Sequence, residues 1–530
     1  MDSISPTPYP DVNEILNLLL AEVKKILEDQ FVGMYLFGSL ANGDFDEHSD
    51  IDVLVVTDAE ISNAKFEALK EMHAQIYQID SPWALQLEVS YIPRNALRRF
   101  DPGNKLHPHM DRGTNEVLHM KSHESDWIIQ RVLLRRHGIV ITGPDLKTLI
   151  DPISPAEVRQ AVIDELPLWA DYLLNHPSTL KSRGYQSFCV LSFCRMLYTF
   201  QNKAVLSKQA AAKWAIDTLD ARWRPLIERA VIGRQHSNME ASVEDINETL
   251  EMLRYLVEVG KQPSIFPDVN EVLYLLLSNV KEILKQQFIG MYLYGSLSSG
   301  DFNPRSSDVD FLVVTANQLS DQTISELEAM HQKIWATPLK WADRLEGAYV
   351  PKELIRRHDP HGAPCPTVNE GKFYVAHLGR SWSIQRHVIR EYGVVVEGPD
   401  PQTLIDFVGP DEIRGAVISI LHEWWFPMLD DPSWLRDHPR EYHAFAILSM
   451  CRALHALEHG TIVSKPIASR WAREKLDQKW SQIIDRAILA QGPTPAPFDL
   501  YHDALELLGF IKLLLASHNE LSEQPAARID

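Results

Sequence analysis

Two stretches of the chain share one arrangement of residues that can do chemistry. Gly38-Ser39 is followed by Gly43-Asp44 and by Ser49-Asp50-Ile51-Asp52; Gly295-Ser296 is followed by Gly300-Asp301 and by Ser307-Asp308-Val309-Asp310. Residues two apart on a strand share a face, so Asp50 points with Asp52 and Asp308 with Asp310. Clustered carboxylates repel unless a cation lies between them or one takes up a proton. Oxygen ligands in this pattern suit magnesium, which keeps waters and engages phosphate oxygens. Glycine at 38 and 295 allows a tight turn and a close approach of backbone to a ligand. Ser39 and Ser296 can offer a hydroxyl and an N–H to phosphate where a helix begins. A third acid, Glu88, lies in Leu85-Gln86-Leu87-Glu88-Val89-Ser90-Tyr91, and Glu346 occupies the same place in the second copy. An acid in an apolar strand is costly unless paired or metal-bound.

The duplication extends well beyond these motifs. Pro10-Asp11-Val12-Asn13-Glu14 returns as Pro267-Asp268-Val269-Asn270-Glu271, Ile129-Gln130-Arg131 as Ile384-Gln385-Arg386, and Gly143-Pro144-Asp145 as Gly398-Pro399-Asp400. A period of about 257 residues is far too long for a solenoid and indicates tandem duplication of a whole protein.

Within each copy the pattern changes near the middle. Phe31–Phe37, Ile51–Thr57 and Leu85–Ile92 read as strands, Ala59–Tyr77 and Trp127–Arg136 as helices, and Ile139–Thr142 as a short strand. Asp11 with Glu14 three residues on reads as a capping box. After Ser154 only helical patterns remain: Pro155–Leu174, Tyr185–Phe200, Ser207–Leu219, Arg222–Gly233 and Val243–Val259. The expected fold is therefore α/β followed by all-α, twice over. The expected domains are 1–153 and 154–262 in the first copy, and 263–409 and 410–530 in the second. Gly492–Pro497 is read as a break between the last two helices.

Composition narrows the function classes. The 530 residues carry a formal net charge of −20, which repels phosphate backbones and disfavours a nucleic-acid binder. The four cysteines form no knuckle or disulfide framework, and Cys194 and Cys451 fall at equivalent points of apolar helical patterns. No apolar run approaches a membrane span, so a cytoplasmic location without membrane partners is the default expectation. His107, His109, His119 and His123 crowd what reads as a loop of the first copy; their spacing matches no standard zinc site, and the second copy replaces the region with Ala363-Pro364-Cys365-Pro366-Thr367 and keeps a different histidine set.

Gly-Ser, the downstream Asp-x-Asp and the later strand acid together resemble the DNA polymerase β-type nucleotidyltransferase superfamily. In the helical half, Leu191-Ser192-Phe193-Cys194-Arg195-Met196-Leu197-Tyr198, Ser207-Lys208 and Ala211-Ala212-Lys213-Trp214-Ala215 are similar to the streptomycin- and spectinomycin-type aminoglycoside adenylyltransferases. The second copy offers Leu448–His455 around Arg452, then Ser464-Lys465 and Arg470-Trp471-Ala472. The likeness covers nearly the whole of each copy.

What the resemblance implies can be placed by residue. Asp50 and Asp52 would hold magnesium. Glu88 would help hold it and act as general base on the acceptor hydroxyl. Gly38, Ser39 and Ser49 would contact phosphates, and Arg195 and Lys208 would reach the triphosphate. The second set is Asp308, Asp310, Glu346, Gly295, Ser296, Ser307, Arg452 and Lys465. The implied reaction passes AMP from ATP to a hydroxyl of a small acceptor, cationic if it is an aminoglycoside, and releases pyrophosphate. The family's acids ahead of the helix arginine are missing from the basic stretch His176–Tyr185, whereas the second copy has Asp437 and Glu441. A protein acceptor, or a regulator that binds ATP without turnover, are the alternative readings. The two copies form a pseudo-dimer within one chain, expected to be a monomer.

Overall fold

A computed structural model describes residues 5–43, 45, 49–236, 238–304, 307–369, 371–490 and 499–522. Thus the break expected at Gly492–Pro497 lies outside the described residues. The chain divides into two compact units, Met1–Gln262 and Pro263–Asp530.

Unit 1 begins with α1 (Pro10–Leu27), β1 (Phe31–Leu36), the short α2 (Gly38–Asn42), β2 (Ile51–Thr57), α3 (Asn63–Ile76) and β3 (Leu87–Pro93). Then come α4 (Arg94–Arg98), β4 (Leu106–Met110), β5 (His119–Ser122), α5 (Asp126–His137), β6 (Ile139–Thr142) and α6 (Leu146–Leu149). The helical half holds α7 (Pro155–Asn175), α8 (Arg183–Asn202), α9 (Lys208–Thr218), α10 (Arg224–Gly233) and α11 (Val243–Gly260).

The six strands form one mixed sheet in the order β5-β4-β3-β2-β1-β6, in which only β2 and β3 run parallel. Strand alternation sorts β2 between two cores. Ile51, Val53 and Val55 pack toward α1 and α3, while Leu54 and Val56 join Trp127 and Leu134 of α5 on the opposite face. Asp52 shares the parity of Leu54 and Val56, so it emerges on the α5 side. In the helical half α8 is central, packed on α7, α9, α10 and α11, with Cys189, Val190, Phe193, Cys194 and Leu197 buried. Glu165 of α7 joins the two halves: it accepts from Ser125 Oγ at 2.7 Å and from the Asp126 N–H at 3.0 Å, at the start of α5.

Unit 2 repeats the plan. Its first half comprises α12 (Pro267–Leu284), β7 (Phe288–Leu293), α13 (Gly295–Ser299), β8 (Val309–Thr315), α14 (Asp321–Trp335), β9 (Leu345–Pro351), α15 (Lys352–Arg356), β10 (Cys365–Asn369), β11 (Lys372–Ala376), α16 (Trp382–Tyr392), β12 (Val394–Glu397) and α17 (Pro401–Leu404). The helices of its second half are α18 (Pro410–Ile420), α19 (Pro427–Asp430), α20 (Ser433–Asp437), α21 (Arg440–His459), α22 (Lys465–Lys475), α23 (Gln478–Ala490) and α24 (Leu500–Ser522). The sheet order is β11-β10-β9-β8-β7-β12, with β8 and β9 parallel.

Three expectations are corrected. The first helix starts at Pro10 with Tyr9 as its N-cap and no side-chain cap, so Asp11 and Glu14 form no capping box. Its entry is held instead by Asn13, whose side chain accepts from Thr7 N–H at 3.1 Å and Thr7 Oγ1 at 2.8 Å and donates to Thr7 O at 2.8 Å. The histidine-rich segment is not a loop: His107 and His109 lie on β4 and His119 on β5. Asp50, placed with Asp52 on one strand by their spacing, lies one residue ahead of β2, whose ladder with β3 begins at Ile51.

Candidate active site

The end of β1 makes the first half of the site. Phe37 N–H donates to Asp52 O at 3.1 Å, and Gly38 then turns with φ +64. A Cβ on Gly38 would lie 1.8 Å from Asp52 Oδ2. Only glycine therefore gives both the left-handed backbone and the room for the Asp52 carboxylate. Unit 2 is built alike: Tyr294 N–H donates to Asp310 O at 3.1 Å, Gly295 has φ +61, and a Cβ there would meet Asp310 Oδ2 at 2.0 Å. Ser39 is the second residue of α2, and its Oγ is buried without a hydrogen-bond partner among the described residues. A buried, unsatisfied hydroxyl beside carboxylates is what an incoming phosphate oxygen would satisfy.

The parallel register of β2 and β3 makes the second half, setting Asp52 directly beside Glu88 and, in unit 2, Asp310 beside Glu346. In unit 1, ligand oxygens of Asp50, Asp52 and Glu88 all lie within 4.8 Å of one another. Burial, then the neighbouring Asp50 and Glu88 charges, push the Asp52 carboxyl well above its ordinary range. Glu88 is also raised, mainly by burial. Three clustered carboxylates, with oxygen donors only, fit a hard divalent cation such as magnesium. In unit 2 the Asp310 carboxyl is raised by burial, then by Glu346 and Asp308. Asp308, Asp310 and Glu346 do not form a comparably tight group among the described residues.

Cations from the helical half face these acids. Arg195 of α8 is depressed by burial and favoured by Asp52 and Asp126. Lys208 opens α9, where Ser207 Oγ caps by accepting from Ala210 N–H at 3.2 Å. Its ammonium rests 3.9 Å from the centre of the Phe188 ring, and burial followed by the Arg195 charge brings it down to about 7. In unit 2, Lys465 lies 4.1 Å from the Phe445 ring and is brought down to about 8 by burial and Arg452. Arg452 is depressed by burial and favoured by Asp301 and Asp310. Ser49 is buried and accepts from Arg234 Nη2 at 3.1 Å, whereas Ser307 accepts from Asn303 N–H at 2.9 Å.

Several residues here escaped the sequence reading. Arg112 Nη1 lies 3.5 Å from Asp50 Oδ2 in unit 1; in unit 2, among the described residues, Arg344 lies 3.4 Å from Asp308 Oδ1. They come from different places in the two copies, so the repeat could not reveal them. Asp301 was visible within its Gly-Asp pair, and its Oδ2 meets the Lys465 N–H at 3.4 Å. Arg234 had no signal in the sequence.

Comparison with known proteins places this geometry in a family. A model of the nucleotidyltransferase domain matches residues 20–110 and 277–357, and a model of the C-terminal domain of aminoglycoside adenylyltransferase matches 148–258 and 422–492. The chain is similar to spectinomycin 9-adenylyltransferase of Staphylococcus aureus, 28% identical over 220 residues, which is 39% of this chain and 79% of that protein. It is also similar to the Campylobacter jejuni spectinomycin 9-adenylyltransferase, 25% identical over 264 residues, covering 47% and 97%. The aminoglycoside (3'')(9) adenylyltransferase of Escherichia coli is 22% identical over 248 residues, covering 45% and 92%. Among solved structures, the spectinomycin adenyltransferase of Enterococcus faecialis with ATP and spectinomycin aligns at 20% identity and a TM-score of 0.38, over 46% of this chain and 98% of that one. Each curated relative spans less than half of this chain, as expected of a duplication. With both family models matched in both halves, the chain belongs to the aminoglycoside adenylyltransferase-like nucleotidyltransferases and is a tandem duplication of one.

Proposed function

We propose that the chain transfers AMP from ATP to a hydroxyl of an aminoglycoside, with unit 1 the better formed of two sites. The observation carrying this reading is the convergence of Asp50, Asp52 and Glu88 beside the Gly38 turn, opposite Arg195 and Lys208. Each unit would be a nucleotidyltransferase domain (1–153, 263–409) followed by a helical domain (154–262, 410–530).

Asp50, Asp52 and Glu88 would hold magnesium, which when bound neutralises phosphate charge as a Lewis acid. Ser39 and Ser49 would hold phosphate oxygens. Glu88, raised by its burial, suits a base that takes the proton of the acceptor hydroxyl as that oxygen bonds to the α-phosphorus. The bond from the α-phosphorus to the bridging oxygen breaks, and pyrophosphate leaves against Arg195 and Lys208. Fixed cations at a departing anion stabilise the charge that develops there. Asp308, Asp310, Glu346, Ser296, Ser307, Arg452 and Lys465 would serve unit 2.

The test is pyrophosphate release with ATP, magnesium and a panel of aminoglycosides, comparing the parent with Asp50→Asn, Asp308→Asn and the double substitution. Release that needs an aminoglycoside and vanishes in the double variant supports the reading. Label from ATP appearing on protein, or no release across the panel, counts against it.

A further inference from the structure

The histidine-bearing strands of unit 1 place a second set of ligands on the far side of Glu88. β3 pairs with β4 at Ser90↔His109, and β4 pairs with β5 at His109↔His119. Ligand atoms of Glu88, His109 and Asp111 all lie within 4.8 Å of one another. His109 is only 4% exposed, its Nδ1 is 2.8 Å from Ser90 Oγ, and its Nε2 faces the two carboxylates, 3.2 Å from Asp111 Oδ1 and 3.6 Å from Glu88 Oε1. The ammonium of Lys121 sits among them, 3.0 Å from His109 Nε2 and 2.7 Å from Asp111 Oδ1.

His109 Nε2 is within reach both of the Lys121 ammonium, which can only donate to it, and of the Asp111 carboxylate, which can only accept from it; with Nδ1–H donating to Ser90 Oγ, the neutral ring turns its Nε2 lone pair to Lys121. A histidine binds metal with one nitrogen oriented by a neighbouring oxygen and the other presenting its lone pair, and Ser90 Oγ is placed to orient Nδ1 while Nε2 faces the carboxylates. The chain's own ammonium already occupies the point where Nε2 and the carboxylates meet. Lys121 is half-exposed on a four-carbon stem, so it can swing out to solvent.

We propose that Glu88, His109 and Asp111 form a second metal site, confined to unit 1, for an imidazole-binding divalent ion such as zinc or cobalt. One imidazole and two carboxylates suit these ions and not magnesium, which prefers oxygen alone. In unit 2 the same registers put Thr367 in place of His109, and Asn369 and Tyr374 in place of Asp111 and His119, so the site is absent there. Because Glu88 is shared, an ion held here withdraws it from the acceptor hydroxyl. This consequence, unlike the site itself, rests on the proposed transfer reaction. Zinc would thus silence unit 1 and leave unit 2 untouched.

The experiment is a cobalt titration of the metal-stripped full chain in excess magnesium, followed by visible absorption. One equivalent should bind with the d–d bands of a nitrogen- and oxygen-ligated ion. The bands should survive Asp50→Asn, disappear in both His109→Ala and Asp111→Asn, and saturate at lower cobalt in Lys121→Met, where the competing ammonium is gone. No bands in the parent and in Lys121→Met, or bands that persist in both His109→Ala and Asp111→Asn, overturn the proposal. Magnesium-dependent pyrophosphate release, measured separately, tells that failure apart from a failure of the transferase reading.

Discussion

Gly38 and Asp52 are one device: the turn exists so that a carboxylate can sit against backbone. Gly38→Ala therefore acts twice. The left-handed φ costs about 1–2 kcal/mol with a Cβ present, and that Cβ would stand 1.8 Å from Asp52 Oδ2, so the carboxylate must move. Displacement on this scale costs about 10²-fold in rate. In an Asp308→Asn background, which isolates unit 1, pyrophosphate release should fall by about that factor while circular dichroism still reports a folded chain. The lysines give a pH prediction. Burial and Arg195 hold Lys208 at about 7, and the corresponding groups hold Lys465 at about 8. Each is charged below its pKa and neutral above it, so metal-free ATP affinity should weaken as pH rises through that range, at lower pH in unit 1. Calorimetric titration of Lys208→Met and Lys465→Met chains across pH 6–9 checks this: each substitution should flatten the profile of its own unit and leave the other unit's in place. The acids and glycines were legible because their spacing repeats. Arg112, Arg344 and Arg234 were not, because a long side chain reaches the site from elements whose sequence carries no positional pattern.

Among the elements, those formed by local pattern were read within a few residues, and those formed by pairing alone were missed. β4 reads Leu106-His107-Pro108-His109-Met110 and β5 His119-Met120-Lys121-Ser122; neither has an apolar run, and a proline usually argues against a strand interior. Their existence depends on β3 offering an edge, which no window of sequence contains. The start of α1 teaches the same lesson. Asp-x-x-Glu has the form of a capping box, yet the helix begins one residue before Asp11, and the buried Asn13 amide clasps Thr7 instead. Unit 2 uses Asn270 and Ser264 in the same way, with Ser264 Oγ donating at 2.9 Å and Asn270 Nδ2 donating to Ser264 O at 2.9 Å. Removing an amide that satisfies buried groups costs about 1–3 kcal/mol. Asn13→Ala and Asn270→Ala should each lower the urea midpoint of their own unit accordingly, whereas Asp11→Ala should leave it nearly unchanged.

At the scale of the whole molecule, duplication built the same acid-sensitive clasp into both units. His73 of α3 is fully buried and meets Tyr91 OH of β3 at 2.7 Å; His331 of α14 meets Tyr349 OH of β9 at 2.8 Å. Burial brings both imidazoles down to about 3 from an ordinary 6.5. The folded chain therefore keeps them neutral at pH values where the unfolded chain protonates them. Above 6.5 neither state gains a proton and this contribution does not vary; as pH falls from 6.5 toward 3 the unfolded state gains protons and stability is lost. Urea midpoints measured from pH 8 to pH 4.5 should fall below pH 6.5 in the parent. The fall should be shallower in His73→Gln and shallower still in the double variant with His331→Gln, since an amide keeps a partner for each tyrosine without titrating. Equal acid limbs in the parent and the double variant would place the proton uptake elsewhere. Each unit holds its own clusters of buried side chains, so fragments 1–262 and 263–530 should each fold alone. Each fragment should then show its own acid limb, made shallower by its own single substitution.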